Sequence, residues 1–176
     1  MIAEAKKEGS VTVYATTDAK VAAPLIKDFE ALYGIKIDYN DLNSTELYNR
    51  IIAESAAGTG TGDIAWSSAP DLQVKLAADG LAAKYASPEI PKLPKWAVFN
   101  DMAYGTTYEP MAILYNKTQV AAEDVLKTHK DLLKILTSKQ ANYKGKVTLY
   151  DPERSGVGFL MMNRDLKADP TSWDLF

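Results

Sequence analysis

The sequence has no cysteine and a single histidine, His129. Disulfides, thiolate chemistry and the usual zinc ligand sets are therefore excluded, while the redox compartment stays open. A hydrolytic triad has only His129 as base, and that residue sits by a helix cap with no nucleophile motif near it. No run reaches the apolar length of a membrane span. Positive charge is not in excess either: 20 Lys and Arg against 23 Asp and Glu leave a net charge of −3, which gives a nucleic-acid partner no electrostatic support. Gly-Lys-Ser/Thr is absent throughout. The glycines of Gly58-Thr59-Gly60-Thr61-Gly62 follow a helical pattern and precede a strand, the reverse of a phosphate loop, so they read as a helix-to-strand connection. Asp38 and Asp41 read as solvated loop charges rather than an acid/base couple. No constellation calls for an enzyme, a metal or a cofactor.

What is present is the material of a globule. Of 176 residues, 47% are hydrophobic and 24% charged, enough for one sizeable domain or two small lobes. Met1 stands directly before Ile2-Ala3-Glu4-Ala5-Lys6-Lys7-Glu8, a helical lead-in with no signal peptide visible, as though Met1 replaces a removed leader. Val11-Thr12-Val13-Tyr14 reads as a strand and runs into the polar turn Ala15-Thr16-Thr17-Asp18. Leu25, Phe29, Leu32 and Tyr33 recur at helical spacing, with Pro24 expected in the first turn or at a kink and Gly34 as the stop. Ile35 to Tyr39 alternates as a second strand. Asn43-Ser44-Thr45-Glu46 then caps a helix with the stripe Leu47, Ile51, Ile52 and Ser55. Asp63-Ile64-Ala65-Trp66 is a third strand, ending in Ser67-Ser68-Ala69-Pro70, where Pro70 suits the first position of a helix that closes at Gly80.

Strand alternating with helix three times implies a parallel sheet with right-handed crossovers, and ligands collect at the carboxyl ends of such strands. Thr16, Thr17, Asp18, Ser67 and Ser68 lie at two of those ends, beside helix N-termini, where each also serves as a plain cap. After the proline-rich stretch from Ser87 to Pro94, residues 96–115 read as mostly extended, a crossing into a second lobe that contains Thr106 and Thr107. Trp66, Trp96, Tyr104 and Tyr108 suit either a cleft lining or a core. Thr128 caps a helix carrying Leu132, Leu133 and Leu136. A short strand pattern over 146–150 then enters Tyr150-Asp151-Pro152-Glu153-Arg154-Ser155-Gly156-Val157-Gly158-Phe159. Ser155 is placed to cap the following helix, with the amides of Gly156 and Val157 facing outward and Arg154 adding a forked positive charge.

Several of these segments resemble the type II periplasmic solute-binding proteins of bacterial ABC importers, closest to the ferric-iron branch. They are Gly9-Ser10-Val11-Thr12-Val13-Tyr14, Phe29-Glu30-Ala31-Leu32-Tyr33-Gly34-Ile35-Lys36-Ile37, Asp63-Ile64-Ala65-Trp66-Ser67, and Tyr143-Lys144-Gly145-Lys146-Val147 leading to Asp151-Pro152 and Ser155-Gly156. The resemblance implies an α/β fold of two lobes joined by extended crossing strands: 1–104 as lobe one, 105–116 as the hinge, 117–176 as a partial lobe two. It implies a non-enzymatic periplasmic receptor for a small anionic or polar solute, working with a membrane permease. Thr16, Thr17, Asp18, Ser67 and Ser68 would face the cleft from lobe one, Thr106 and Thr107 would lie by the hinge, and Arg154, Ser155, Gly156 and Val157 would hold an anion from lobe two.

The chain also departs from that branch. Where iron-binding members often place a His after the first strand and a Glu after the third, it offers Asp18 and Ser67-Ser68, and it has no later segment to supply their paired tyrosines. Hydroxyls and amides suit an oxyanion or small polar organic solute better than ferric iron. Family members are nearly twice as long, so this chain reads as a C-terminally shortened form, with an open sheet position that invites strand pairing or swapping with a second copy. A ferric receptor of the same fold and a Rossmann-like transferase are the alternatives. The transferase wants a glycine-rich first turn, which Ala15-Thr16-Thr17-Asp18 lacks.

Overall fold

The structure, a computed structural model, describes residues 2–108 and 111–175. After a short helix α1 (Ile2–Glu8), strand β1 (Ser10–Ala15) forms the centre of a three-stranded parallel sheet. Strand β2 (Lys36–Asp41) pairs along its whole length, from Ser10 with Lys36 to Ala15 with Asp41. Strand β3 (Ile64–Trp66) takes the other side, from Val13 with Ile64 to Ala15 with Trp66. The chain reaches β2 through helix α2 (Ala19–Tyr33) and returns past β1 to β3 through helix α3 (Ser44–Ala57). Strand order thus reverses at β1, and the carboxyl end of β1 is the switch point where open α/β sheets place ligands. Val13, Tyr14 and Ala15 are buried, as a central strand covered on both faces requires.

The helix ends follow local chemistry. Asp18 and Asn43 cap α2 and α3 with their side chains, and Gly34 and Gly58 end them in the left-handed conformation that glycine adopts without steric cost. Which face of α2 turns inward differs from expectation. Ala22 is buried and Ile26, Phe29 and Tyr33 are half-buried, whereas Leu25 and Leu32 are 63% and 70% exposed. Positions 22, 26, 29 and 33 form one helical stripe, and the sheet selects that stripe over the neighbouring one. Pro24 lies inside α2 and beyond its first turn, the first of the two places expected for it, and cannot donate to the carbonyl one turn earlier.

Helix α4 (Pro70–Ala78) begins at its proline and buries Leu76 and Ala77. The segment expected to be extended over 96–115 instead holds a hairpin, β4 (Val98–Phe99) against β5 (Ala103–Tyr104), turned by Asn100 and Asp101 at φ 52° and 56°. Asn and Asp tolerate that region better than other non-glycine residues. Helix α5 (His129–Ser138) carries a capping box between Thr128 and Asp131 and is followed by α6 (Gln140–Tyr143). Residues 146–150, expected as a strand, have no sheet partner among the described residues, and Val147, Leu149 and Tyr150 are exposed. An alternating pattern becomes a strand only beside another strand that completes its ladder. Helix α7 (Gly156–Ala168) closes the order, with a 3-10 turn at Pro170–Leu175. No described helix is long and apolar enough to cross a membrane.

One polar network fixes the glycine-rich loop to the sheet. The Tyr14 hydroxyl donates to Glu54 (2.8 Å to Oε1) and lies 2.7 Å from Thr61 Oγ1. Arg50 Nε donates to the same Glu54 at 2.8 Å, and its guanidinium sits 4.2 Å from the Tyr14 ring centroid. The Arg50 hydrogen bond, followed by smaller contributions from Tyr14 and the Thr61 amide, holds the Glu54 carboxyl below its ordinary range against the opposing effect of burial.

Candidate functional site

The three strands end level with one another, at Ala15, Asp41 and Trp66. The Thr16 amide donates to Trp66 O (3.0 Å) and the Leu42 amide to Ala15 O (2.8 Å), so the residues just past the strands are also held side by side. Thr16 Oγ1 accepts from the Ser68 amide at 3.1 Å and lies 3.3 Å from Ser68 Oγ. Ser67 Oγ accepts from the Ala69 amide at 3.2 Å, a local turn bond at the start of α4. Asp18 Oδ1 accepts from the Lys20 amide (2.7 Å) and Asp41 Oδ2 from the Ala19 amide (3.1 Å), so both carboxylates are committed to the start of α2. The Thr17 carbonyl accepts from the Tyr39 hydroxyl at 2.7 Å. Burial, then the charges of Asp41 and Asp18, push that phenol up from its ordinary value.

The turn 151–155 meets these ends from the other part of the chain. Its backbone is closed by the Arg154 and Ser155 amides, which donate to Asp151 O at 3.2 and 2.9 Å. Ser155 caps α7, its Oγ accepting from the Gly158 amide at 3.1 Å. Gly156 corrects the expectation of an outward-facing amide. It is buried, and its N–H donates to Ser44 Oγ at 2.8 Å. A Cβ there would stand 2.8 Å from Leu72 Cδ1, 3.2 Å from Ser44 Oγ and 3.3 Å from Ala69 Cβ, so the first turn of α7 seats directly against the starts of α3 and α4. The Val157 amide has no hydrogen-bond partner among the described residues.

Between the strand ends and this turn lies a hollow of about 370 Å³. Thr16 and 42–44 wall it from the sheet side; Tyr150, Asp151, Arg154 and Ser155 wall it from the other. A wider, open depression of about 700 Å³ shares Asn43 and Arg154 with it and adds Glu46, Arg50 and Glu153. The positive ends of α3 and α7 flank the smaller hollow, and Arg154 adds a full charge. Among the described residues Arg154 makes no ion pair. The arrangement suits an anion or a polar group with free acceptors.

Of the residues singled out in the sequence, Thr16, Arg154 and Ser155 wall this hollow together, and Ser68 bonds to Thr16 behind it. Thr17, Asp18 and Ser67 serve turns and caps nearby. Thr106 and Thr107 are exposed and line neither depression. Leu42, Asn43 and Ser44 were overlooked, although they follow β2 as Thr16 follows β1, and the same carboxyl-end rule points to them. No group of three or more His, Cys, Asp or Glu among the described residues is placed to hold a metal ion.

The family described as bacterial extracellular solute-binding protein matches residues 24–174. A crystal structure of the substrate-binding protein of an ABC transporter from Agrobacterium tumefaciens superposes with a TM-score of 0.86 at 37% sequence identity. The match covers 93% of this chain and 49% of the other, so this chain spans about half the length of that relative. None of the curated proteins matches. Both similarities are to binding proteins rather than to enzymes.

Proposed function

Because the chain belongs to the bacterial extracellular solute-binding protein family, we propose that it acts as the solute-binding component of an ABC importer, holding a small anionic or polar solute in the hollow between the strand ends and the turn before α7. The observation that carries this reading is the meeting of Thr16 with Arg154 and Ser155 around one depression, although more than 130 residues separate them in sequence. In this reading the Arg154 guanidinium, the Ser155 hydroxyl and the Val157 amide take the solute's acceptors, and Thr16 contacts it from the sheet.

The division into lobe one (1–104), a hinge (105–116) and a partial lobe two (117–176) belongs to the same proposal, with Thr106 and Thr107 serving the hinge and closure around solute as the working motion. The working place is the periplasm and the partner a membrane permease. The similarity of the Agrobacterium transporter component supports both. β3 lies at one edge of the sheet, and its open side offers a place for a strand from a second copy. The ferric alternative finds no group of three or more His, Cys, Asp or Glu to support it among the described residues.

Two measurements test the proposal. Native mass spectrometry of the purified protein should release a small anion or polar solute; a nucleoside cofactor would contradict it. Calorimetric titration with phosphate, sulfate and short carboxylates should find a ligand whose affinity falls about tenfold or more in Arg154→Ala, the scale of one charge-assisted hydrogen bond. The melting temperature of the empty protein should stay nearly unchanged, because Arg154 is exposed and makes no ion pair among the described residues. Equal affinity in the variant removes Arg154 from the site.

A further inference from the structure

The hollow carries two charges of opposite sign that do not neutralise each other. Asp151 and Arg154 are three residues apart in one turn, and both wall the depression. Neither takes part in an ion pair among the described residues, with the other or with anything else. Asp151 Oδ1 accepts from the Glu153 amide at 2.8 Å, which orients the carboxylate, and Oδ2 has no hydrogen-bond partner among the described residues. Tyr150, exposed to 63%, walls the same hollow beside them. The other carboxylates at this end of the sheet, Asp18 and Asp41, are engaged as acceptors of backbone amides.

We propose that this hollow takes a small zwitterion, a solute with a carboxylate at one end and an ammonium at the other. The inference rests on the solute-binding reading above and narrows its ligand class. The carboxylate meets the Arg154 fork and the Ser155 hydroxyl near the positive end of α7. A single guanidinium balances the single charge of a carboxylate. The ammonium meets Asp151 Oδ2, in a hollow that Tyr150 also walls. A volume of about 370 Å³ lies at the small end of ligand sites and suits a compact molecule.

The test is calorimetric titration of the 176-residue chain with the straight-chain ω-amino acids from glycine to 6-aminohexanoate. Each is compared with the alkyl carboxylate and the alkylamine of the same length. At the best-fitting length, the zwitterion should bind about tenfold or more tightly than either singly charged analogue, as expected for one added charge-assisted contact. In Asp151→Asn, which keeps an oxygen for the Glu153 amide, the ratio of zwitterion to carboxylate affinity should fall to near one. Circular dichroism melting of the variant checks that the turn still folds. Equal affinity for zwitterion and carboxylate in the parent chain overturns this inference and leaves an anion site standing. A preference that survives Asp151→Asn overturns the assignment to Asp151. If none of the compounds binds at any length, the zwitterion inference fails; if phosphate and sulfate also fail, the anion-site reading falls with it.

Discussion

The Gly156 amide donates to Ser44 Oγ at 2.8 Å, joining the first residue of α7 to the first residue of α3 across 112 positions of sequence. Both residues are buried. The bond satisfies one of the donors that a helix start leaves open, and it does so with a side chain from the other end of the chain. Ser44→Ala should therefore leave a buried N–H without a partner, at a cost of about 1–3 kcal/mol. Urea titration monitored by circular dichroism reads this as a lower midpoint with an unchanged slope. An unchanged midpoint would mean that the amide finds another acceptor.

The same contact makes Gly156 sensitive to bulk. A methyl group there meets Leu72 Cδ1 at 2.8 Å and Ser44 Oγ at 3.2 Å, so α7 must back away or both side chains must shift. Gly156→Ala is expected to destabilise by about 1–3 kcal/mol, the usual range for overpacking. Hydrogen exchange should show the loss of protection concentrated in the first turn of α7 and the start of α3. A variant as stable as its parent would show that Leu72 swings aside without cost.

These two residues also mark where sequence reading stops. Asp18, Asn43, Thr128 and Ser155 were legible as caps because each acts on an amide within three residues. Gly34 was legible because its left-handed conformation is a local demand. The alternation of strand and helix carried the parallel sheet and the carboxyl-end location of the hollow. Leu25 and Leu32 were misplaced because two adjacent stripes of α2 are both apolar, and only the sheet decides between them. Residues 146–150 have a strand's pattern but no neighbouring strand among the described residues, and pairing cannot be read from one segment. The engagement of Gly156 with Ser44 depends on how two distant helix starts pack, which no local pattern encodes.

Gly62 and Gly60 sit in one loop but answer to different constraints. A Cβ on Gly62 would stand 2.6 Å from Tyr14 Cε2, in a buried ring held by Glu54 and Thr61, whereas Gly60 has nothing within 4 Å. Gly62→Ala is expected to cost about 1–3 kcal/mol through that clash. Gly60→Ala should be neutral or stabilise by up to about 1 kcal/mol, because it narrows only the unfolded ensemble. Thermal unfolding of the two variants side by side checks the contrast. Equal effects would mean that the loop does not rest on the Tyr14 ring.

Asp124 gives the clearest pH dependence. It is buried at 5% exposure, ion-paired with Lys139 and bonded by the Tyr143 hydroxyl at 2.8 Å, so it fastens the segment before α5 to α6. The Lys139 hydrogen bond, then that of Tyr143, holds its carboxyl below the usual range, while burial opposes them. A folded-state value below the unfolded one contributes stability that is fully present above the unfolded value of about 3.9 and is lost as pH falls through the folded value. Asp124→Asn should therefore melt below the parent at pH 7, with the gap narrowing steadily as pH drops from about 5 toward 2. Lys139→Met should show the same narrowing, since it removes the charge that holds the carboxyl ionised. A gap that stays constant over that range would assign the loss to packing rather than to the ion pair.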